Sequence, residues 1–188
     1  AGGIFGVGYK ASPVSDCTNR AAISLSAKSA TAGYLAGISA FIKSGSTTTT
    51  SAYALSLNGC TNTGKLYANF PATWYVGGAV AFGTPWHSTA SNRQTIVDTT
   101  VACDIEIAAT NIPAYYIGGI LGYSGLHDNL TGNSYTGTIT VGANADGTLS
   151  AVGGIVGGLY SYASSTSTIN NATWNFGGNT VDVTINQT

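Results

Sequence analysis

Charge is scarce in this chain. Asp, Glu, Lys and Arg make up 7 % of its 188 residues, against roughly 25 % in average globular proteins. The six basic residues, Lys10, Arg20, Lys28, Lys43, Lys65 and Arg93, stand singly. Without a basic patch to neutralise phosphates, neither a nucleic-acid partner nor an anionic membrane surface is expected. Long apolar runs are missing too. The longest, Tyr34 to Ile42, is broken by Gly37 and Ser39, well short of the ~20 residues of a membrane-crossing helix, so direct membrane insertion is not expected. Met is absent and the chain opens at Ala1 inside a Gly-rich motif, which reads as a processed chain or a fragment whose signal peptide is already gone. No Gly-Lys-Ser/Thr follows any Gly-rich segment, which argues against a phosphate-cradling loop.

What the chain has instead is glycine, 26 residues of it, with Ser, Thr and Asn at polar positions and 11 Tyr within a 44 % apolar total. So many aromatic and β-branched residues separate it from disordered chains of low charge. Its length suits one domain, or one uninterrupted stack of repeats, and is enough to bury a core. A surface poor in Lys and Glu fits an extracellular or cell-surface location.

Self-similarity is the main signal. Five segments share a core: Gly2-Gly3-Ile4-Phe5-Gly6, Gly33-Tyr34-Leu35-Ala36-Gly37, Gly77-Gly78-Ala79-Val80-Ala81, Gly118-Gly119-Ile120-Leu121-Gly122 and Gly153-Gly154-Ile155-Val156-Gly157. Their first residues step by 31, 44, 41 and 35. A second element follows: Cys17-Thr18-Asn19, Cys60-Thr61-Asn62 and Cys103-Asp104, the cysteines 43 and 43 apart. On that spacing the three cysteines share one position in three repeats. Ala52 to Leu57, Tyr135 to Val141 and Thr180 to Ile185 alternate apolar with polar residues, the period of a half-buried strand. No segment has a helical period. Gly-Gly at each repeat serves either a turn with φ > 0 or a close approach that leaves no room for a side chain.

These patterns predict an all-β, right-handed parallel β-solenoid of about five Gly-Gly repeats, approximately 1–31, 32–73, 74–114, 115–149 and 150–188. Each unit buries its apolar face by stacking on its neighbours, and parallel crossovers are right-handed by general preference. The repeat lengths vary through segments inserted on one flank, Lys43 to Ser51, Thr84 to Thr95, Ser124 to Ser134 and the Tyr/Ser-rich Tyr160 to Thr168. Such a flank is often the binding side, which makes Trp86, Arg93, Tyr160 and Tyr162 candidate contact residues.

The Gly-Gly-Ile-Val-Gly core, taken with Cys-Thr-Asn-Thr-Gly-Lys-Leu at residues 60–66, resembles the GLUG repeat of large bacterial surface proteins, adhesins and some surface proteases among them, many from gut Bacteroidetes. The resemblance spans nearly the whole chain. It departs at Tyr34, which replaces the second Gly, and at Ala81. It implies a scaffold or stalk, with no catalytic residue to transfer.

Few residues suggest chemistry. Asp104 and Glu106, two apart on a strand, share one face and would suit a glycosidase pair, or simply an exposed strand face. His87 and His127 lie at similar places after Gly77 and Gly118 and, with Asp128, suggest a metal site; solvated loop histidines are the plainer reading. Cys17, Cys60 and Cys103 form either a buried thiol ladder or a bridge plus one. Pro71-Ala72-Thr73-Trp74-Tyr75 aligns with Pro113-Ala114-Tyr115-Tyr116. Trp74 should therefore stack near Tyr115 and Tyr75 near Tyr116, one of each pair facing in and the other out, as an internal weld or a sugar-binding row. Thr47 to Thr50 and Thr136 to Thr140 bring ice binding to mind, but these stretches do not recur in register.

The expected function is an extracellular structural or adhesive scaffold, not an enzyme and without a cofactor, contacting a glycan or host protein. The alternative is a filament subunit stacking end to end along the solenoid axis through open strand edges.

Overall fold

The computed structural model describes residues 1–9, 13–26, 31–43, 56–84, 95–124, 129–145, 150–159 and 175–188. Among them the chain is all strand and turn, without a helix. It opens with β1 (Phe5–Tyr9), β2 (Pro13–Ser15), β3 (Thr18–Asn19) and β4 (Ile23–Leu25). There follow β5 (Ala32–Ala36), β6 (Ser39–Lys43), β7 (Ser56–Asn58), β8 (Thr61–Asn62) and β9 (Leu66–Ala68). The same order recurs in β10 (Thr73–Gly77), β11 (Val80–Thr84), β12 (Thr95–Val97), β13 (Thr100–Ala102) and β14 (Ile105–Ile107). It recurs again in β15 (Ala114–Gly118), β16 (Leu121–Ser124), β17 (Asn129–Thr131) and β18 (Ser134–Val141), then in β19 (Ser150–Gly153), β20 (Val156–Leu159) and β21 (Thr180–Gln187).

Each strand pairs in parallel with its counterparts from the passes before and after. Sheet I is β5-β10-β15-β19, sheet II is β1-β6-β11-β16-β20 and sheet III is β2-β7-β12-β17. Sheet IV joins β3 and β4 to β8 and β9, these to β13 and β14, and then to the long strand β18, with β21 beside it. Such stacked parallel sheets are what a parallel β-solenoid requires. The alternating segments Tyr135 to Val141 and Thr180 to Ile185 lie within β18 and β21, whereas most of Ala52 to Leu57 lies outside the described residues.

Parallel in-register pairing turns every position into a column of like environment. Leu57, Ile96 and Leu130 stack in sheet III, Leu66, Ile105 and Ile139 in sheet IV, and Leu35, Val76 and Ile117 in sheet I, all fully buried. The core is thus continuous along the stack. Between sheets III and IV every pass turns a corner in the left-handed region, at Asp16, Gly59, Asp98, Gly132 and Gly178, with φ of 54°, 63°, 49°, 67° and 70°. Gly adopts this conformation without strain, and Asp tolerates it better than most residues. A Cβ on Gly59 would come within 2.8 Å of Asp16 Oδ1, so the glycine leaves room for the neighbouring carboxylate.

The Gly-Gly pairs answer to crowding and not to turn geometry: none of Gly77, Gly78, Gly118, Gly119, Gly153 and Gly154 has positive φ. A Cβ on Gly78 would meet Gly119 O closer than 3.0 Å and Val101 Cγ1 at 2.5 Å. Gly3, Gly37, Gly119 and Gly154 face Asn19, Asn62, Tyr135 and Val181 in the same way. Each second glycine therefore admits a side chain from one column of sheet IV (Asn19, Asn62, Val101, Tyr135, Val181). The two sequence motifs, Gly-Gly and Cys-Thr-Asn, meet here.

Register corrects two readings of the sequence. Gly33 pairs with Trp74, and it is Ala36-Gly37 that aligns with Gly77-Gly78; Gly33 leaves space for the Trp74 ring of the next pass. Cys103 does not share the position of Cys17 and Cys60. Thr18, Thr61 and Thr100 pair in register, so that column continues from Cys17 and Cys60 to Thr99, Asn133 and Asn179, while Cys103 stands opposite Gly64. A separate hydroxyl column runs through Thr18, Thr61, Thr100, Ser134 and Thr180; Thr136 and Thr140 stand opposite Ala102 and Glu106, and Thr47 to Thr50 lie outside the described residues.

Candidate functional site

Sheets I and II meet through a turn of two residues, Gly78 and Ala79 between β10 and β11, and there the chain builds an array of aromatic side chains. Tyr34, Tyr75 and Tyr116 form one column on sheet I. Phe41, Phe82 and Tyr123 form another on sheet II. All six rings are half-buried. Within the first column the centroids lie 5.2 and 5.5 Å apart with planes at 10° and 13°. Within the second they lie 5.4 and 5.3 Å apart at 3° and 2°. Across the columns the rings meet edge to face, Tyr75 with Phe82 at 4.8 Å and Tyr116 with Tyr123 at 4.8 Å. This is a six-ring herringbone, whose offset and T-shaped pairs each contribute about 0.5–1.5 kcal/mol beyond area burial.

The array ends in small side chains. Tyr116 pairs with Ala151 and Tyr123 with Gly158, and a Cβ on Gly158 would fall 2.7 Å from the Tyr116 ring. Within the array the ring faces are therefore occupied by neighbouring rings, and a sugar approaching along its length finds mainly ring edges and phenol oxygens. Burial, then the neighbouring Tyr34 and Tyr116, push the Tyr75 phenol above its ordinary value, so it stays a neutral hydroxyl.

The expected pairs hold in register, Trp74 with Tyr115 and Tyr75 with Tyr116. Trp74 and Tyr115 face the core at 0 % and 6 % exposure, and Trp74 Nε1 donates to Phe70 O at 3.1 Å; neither presents a face to a ligand. Trp86, Arg93, Tyr160 and Tyr162 lie outside the described residues, as do His87, His127 and Asp128. Tyr34, Phe41, Phe82 and Tyr123 escaped the sequence reading. A signal was present: an aromatic residue stands five places after Ala36, Gly77 and Gly118, at Phe41, Phe82 and Tyr123. Aligning the second unit on Gly33 concealed it.

The buried polar groups bind one pass to the next. Asn19 Nδ2 donates to Asn62 Oδ1 at 2.8 Å, and Asn62 Nδ2 donates to Gly78 O at 3.0 Å. Further along, Asn133 Nδ2 donates to Ile96 O at 2.8 Å and to Asn179 Oδ1 at 3.0 Å, while Asn179 Nδ2 donates to Leu130 O at 2.8 Å. Tyr135 donates its hydroxyl to Cys103 O at 3.2 Å, and burial drives that phenol up. Burial, helped by the Asp104 charge, pushes the Cys103 thiol up to about 12, the reverse of an activated nucleophile.

Asp104 and Glu106 are both engaged between strands. Asp104 Oδ1 accepts the Thr138 backbone N–H at 2.9 Å, and Glu106 pairs with Lys65 at 2.6 Å. Among the described residues no three His, Cys, Asp or Glu cluster as metal ligands would. The geometry welds successive passes and offers long, uniform outer faces. A comparison of the chain with protein-family models, with curated proteins and with solved structures found no match in any of the three.

Proposed function

We propose that the chain is a right-handed parallel β-solenoid of about five Gly-Gly repeats, an extracellular structural and adhesive scaffold of a cell-surface protein, and not an enzyme. The observation that carries this reading is columnar uniformity. The Gly column, the left-handed corner and the aromatic herringbone each extend over several passes, and the described acids Asp104 and Glu106 serve strand-to-strand contacts. Repeat architectures of this kind derive their stability from nearest neighbours and bind, where they bind, along a face. The similarity of residues 153–157 to the GLUG core supports the same reading. The right hand rests on the general preference of parallel crossovers.

Contact with a glycan or host protein is assigned to the flank of the inserted segments, which carry Trp86, Arg93, Tyr160 and Tyr162 in the sequence. The test has two arms. Antibodies to the chain should label intact, unpermeabilised source cells, and labelling only after permeabilisation would contradict a surface scaffold. The purified chain should leave a panel of polysaccharides uncut; release of reducing ends would overturn the non-enzymatic reading.

A second reading, end-to-end self-assembly, is favoured by where the exposed large apolar residues fall. Ile4 and Val7 belong to the first pass, and Leu159, Phe176, Val181 and Ile185 to the last. Ile4, Phe176, Val181 and Ile185 continue core columns that are buried in the middle of the stack. Light scattering on the purified chain separates the readings: a monomer supports the scaffold, and long polymers support the filament subunit.

A further inference from the structure

The three cysteines divide into two and one. Cys17 and Cys60 immediately precede β3 and β8, which pair Thr18 with Thr61 and Asn19 with Asn62. The Thr61 N–H donates to Cys17 O at 2.8 Å, which fixes the two cysteines side by side on neighbouring passes. Neighbouring strands lie about 4.8 Å apart, inside the Cα–Cα window of about 4.4–6.8 Å for a disulfide. Both side chains belong to the inward column that continues with Thr99 and Asn133. The Cys60 thiol lies between the two passes, within reach of Val14 O of the first at 3.6 Å and Asn58 O of its own at 3.7 Å, and against the Cys17 backbone amide. Cys103 is excluded by register, since it stands opposite Gly64 and its Sγ accepts from Asn62 Nδ2 at 3.3 Å.

All three thiols are free in this structure. We propose that Cys17 and Cys60 form a disulfide when the chain meets a small-molecule disulfide oxidant, stapling the first pass of the chain to the second, and that Cys103 stays a thiol. The half-buried Cys17 is the more exposed of the pair. As the thiolate it attacks the oxidant's S–S bond, forming a mixed disulfide and releasing one oxidant thiolate. Cys60 then loses its proton and attacks the Cys17 sulfur, which expels the second oxidant thiolate. Two protein thiols are oxidised and one oxidant disulfide is reduced to two thiols. Burial holds the Cys60 thiol above its ordinary value, so the second step accelerates with pH.

The experiment uses the full chain and oxidised glutathione, followed by alkylation, digestion without reductant and mass spectrometry. The expected result is one linked peptide pair, joining Cys17 to Cys60 with the loss of two hydrogens, and Cys103 alkylated only after unfolding. The guanidinium midpoint should rise on oxidation and return with reductant, a comparison that needs no variant. Cys103→Ala should keep the bridge and Cys17→Ser should abolish both bridge and shift. A bridge to Cys103, a reaction that stops at glutathionylated Cys17, or a bridge without a midpoint shift would each overturn the proposal.

Discussion

Replacing Gly78 by Ala adds a single methyl group, yet the stack has no room for it. The new Cβ would lie closer than 3.0 Å to Gly119 O and 2.5 Å from Val101 Cγ1, where ordinary contact begins at 3.4 Å. The Val101 methyl can move, but the carbonyl cannot easily do so. It belongs to a backbone tied across four passes by Gly37 N to Gly78 O (3.1 Å), Gly78 N to Gly118 O (3.2 Å) and Gly119 N to Gly153 O (3.1 Å). Overpacking commonly costs 1–3 kcal/mol, and a rigid obstacle puts Gly78→Ala at the upper end, about 3 kcal/mol. Gly6→Ala is the matched control. Nothing lies within 4 Å of its Cβ, and restricting the unfolded chain should stabilise by about 0.4–1 kcal/mol. The two variants should therefore differ by roughly 3–4 kcal/mol in opposite directions, read as guanidinium midpoints at unchanged m. Adding Val101→Ala to Gly78→Ala should recover only part of the loss, because the carbonyl clash remains. Equal stability of Gly78→Ala and Gly6→Ala, within about 0.5 kcal/mol, would refute the crowding account of the Gly-Gly pairs.

Tyr75 sits at the middle of the herringbone, stacked on Tyr34 and Tyr116 and edge-on to Phe82 and Tyr123. Tyr75→Ala should cost about 3 kcal/mol in equilibrium unfolding, and Tyr75→Phe, which keeps every ring, less than about 1 kcal/mol. Ser39 Oγ is a buried side-chain oxygen without a hydrogen-bond partner, in a column shared with Phe5, Val80 and Leu121; Ser39→Ala should stabilise by about 1 kcal/mol, and a loss would contradict its unsatisfied state. Alkali should destabilise the fold. The Cys103 thiol is raised from 9.0 to about 12 in the folded chain, so between those values the unfolded state has released a proton that the folded state still holds. Stability is therefore full below about pH 9 and falls as pH rises, at most by about 1.4 kcal/mol per pH unit for this group. The raised Tyr135 phenol adds in the same direction. A midpoint that stays flat from pH 8.5 to 11, in denaturant titrations at about half-unit steps, would count against both assignments.

The parallel stacking was legible because the Gly-Gly core and the alternating segments recur along the chain, and a repeated local pattern carries its own fold class. Trp74 with Tyr115 and Tyr75 with Tyr116 were legible for a related reason: the Pro-Ala lead-in keeps their distance from Gly77 and Gly118 constant. Register over longer stretches was not. The segments inserted between sheets II and III differ in length from pass to pass, so equal spacing of 43 put Cys103 in a column to which Thr99 belongs. Gly33 misled in another way, because its smallness accommodates the Trp74 ring and not the close approach at Gly78. The herringbone depends on two sheets meeting across the short turn after Gly77, which no one-dimensional period reports. The left-handed corner was hidden because Asp16 and Asp98 alternate with Gly59 and Gly132, two residue types whose shared conformation leaves no common letter.

The in-register parallel stack is the claim on which the rest depends, and one distance tests it directly. Thr18 and Thr180 occupy the two ends of a single outward column of sheet IV, four strand steps apart through Thr61, Thr100 and Ser134. Spin labels attached at those two positions through unnatural keto side chains leave the three cysteines untouched. Pulsed dipolar spectroscopy should then give a single narrow distribution near about 19 Å, four spacings of ~4.8 Å. A broad distribution, or one centred beyond about 30 Å, which is more than six such spacings, would contradict the stack.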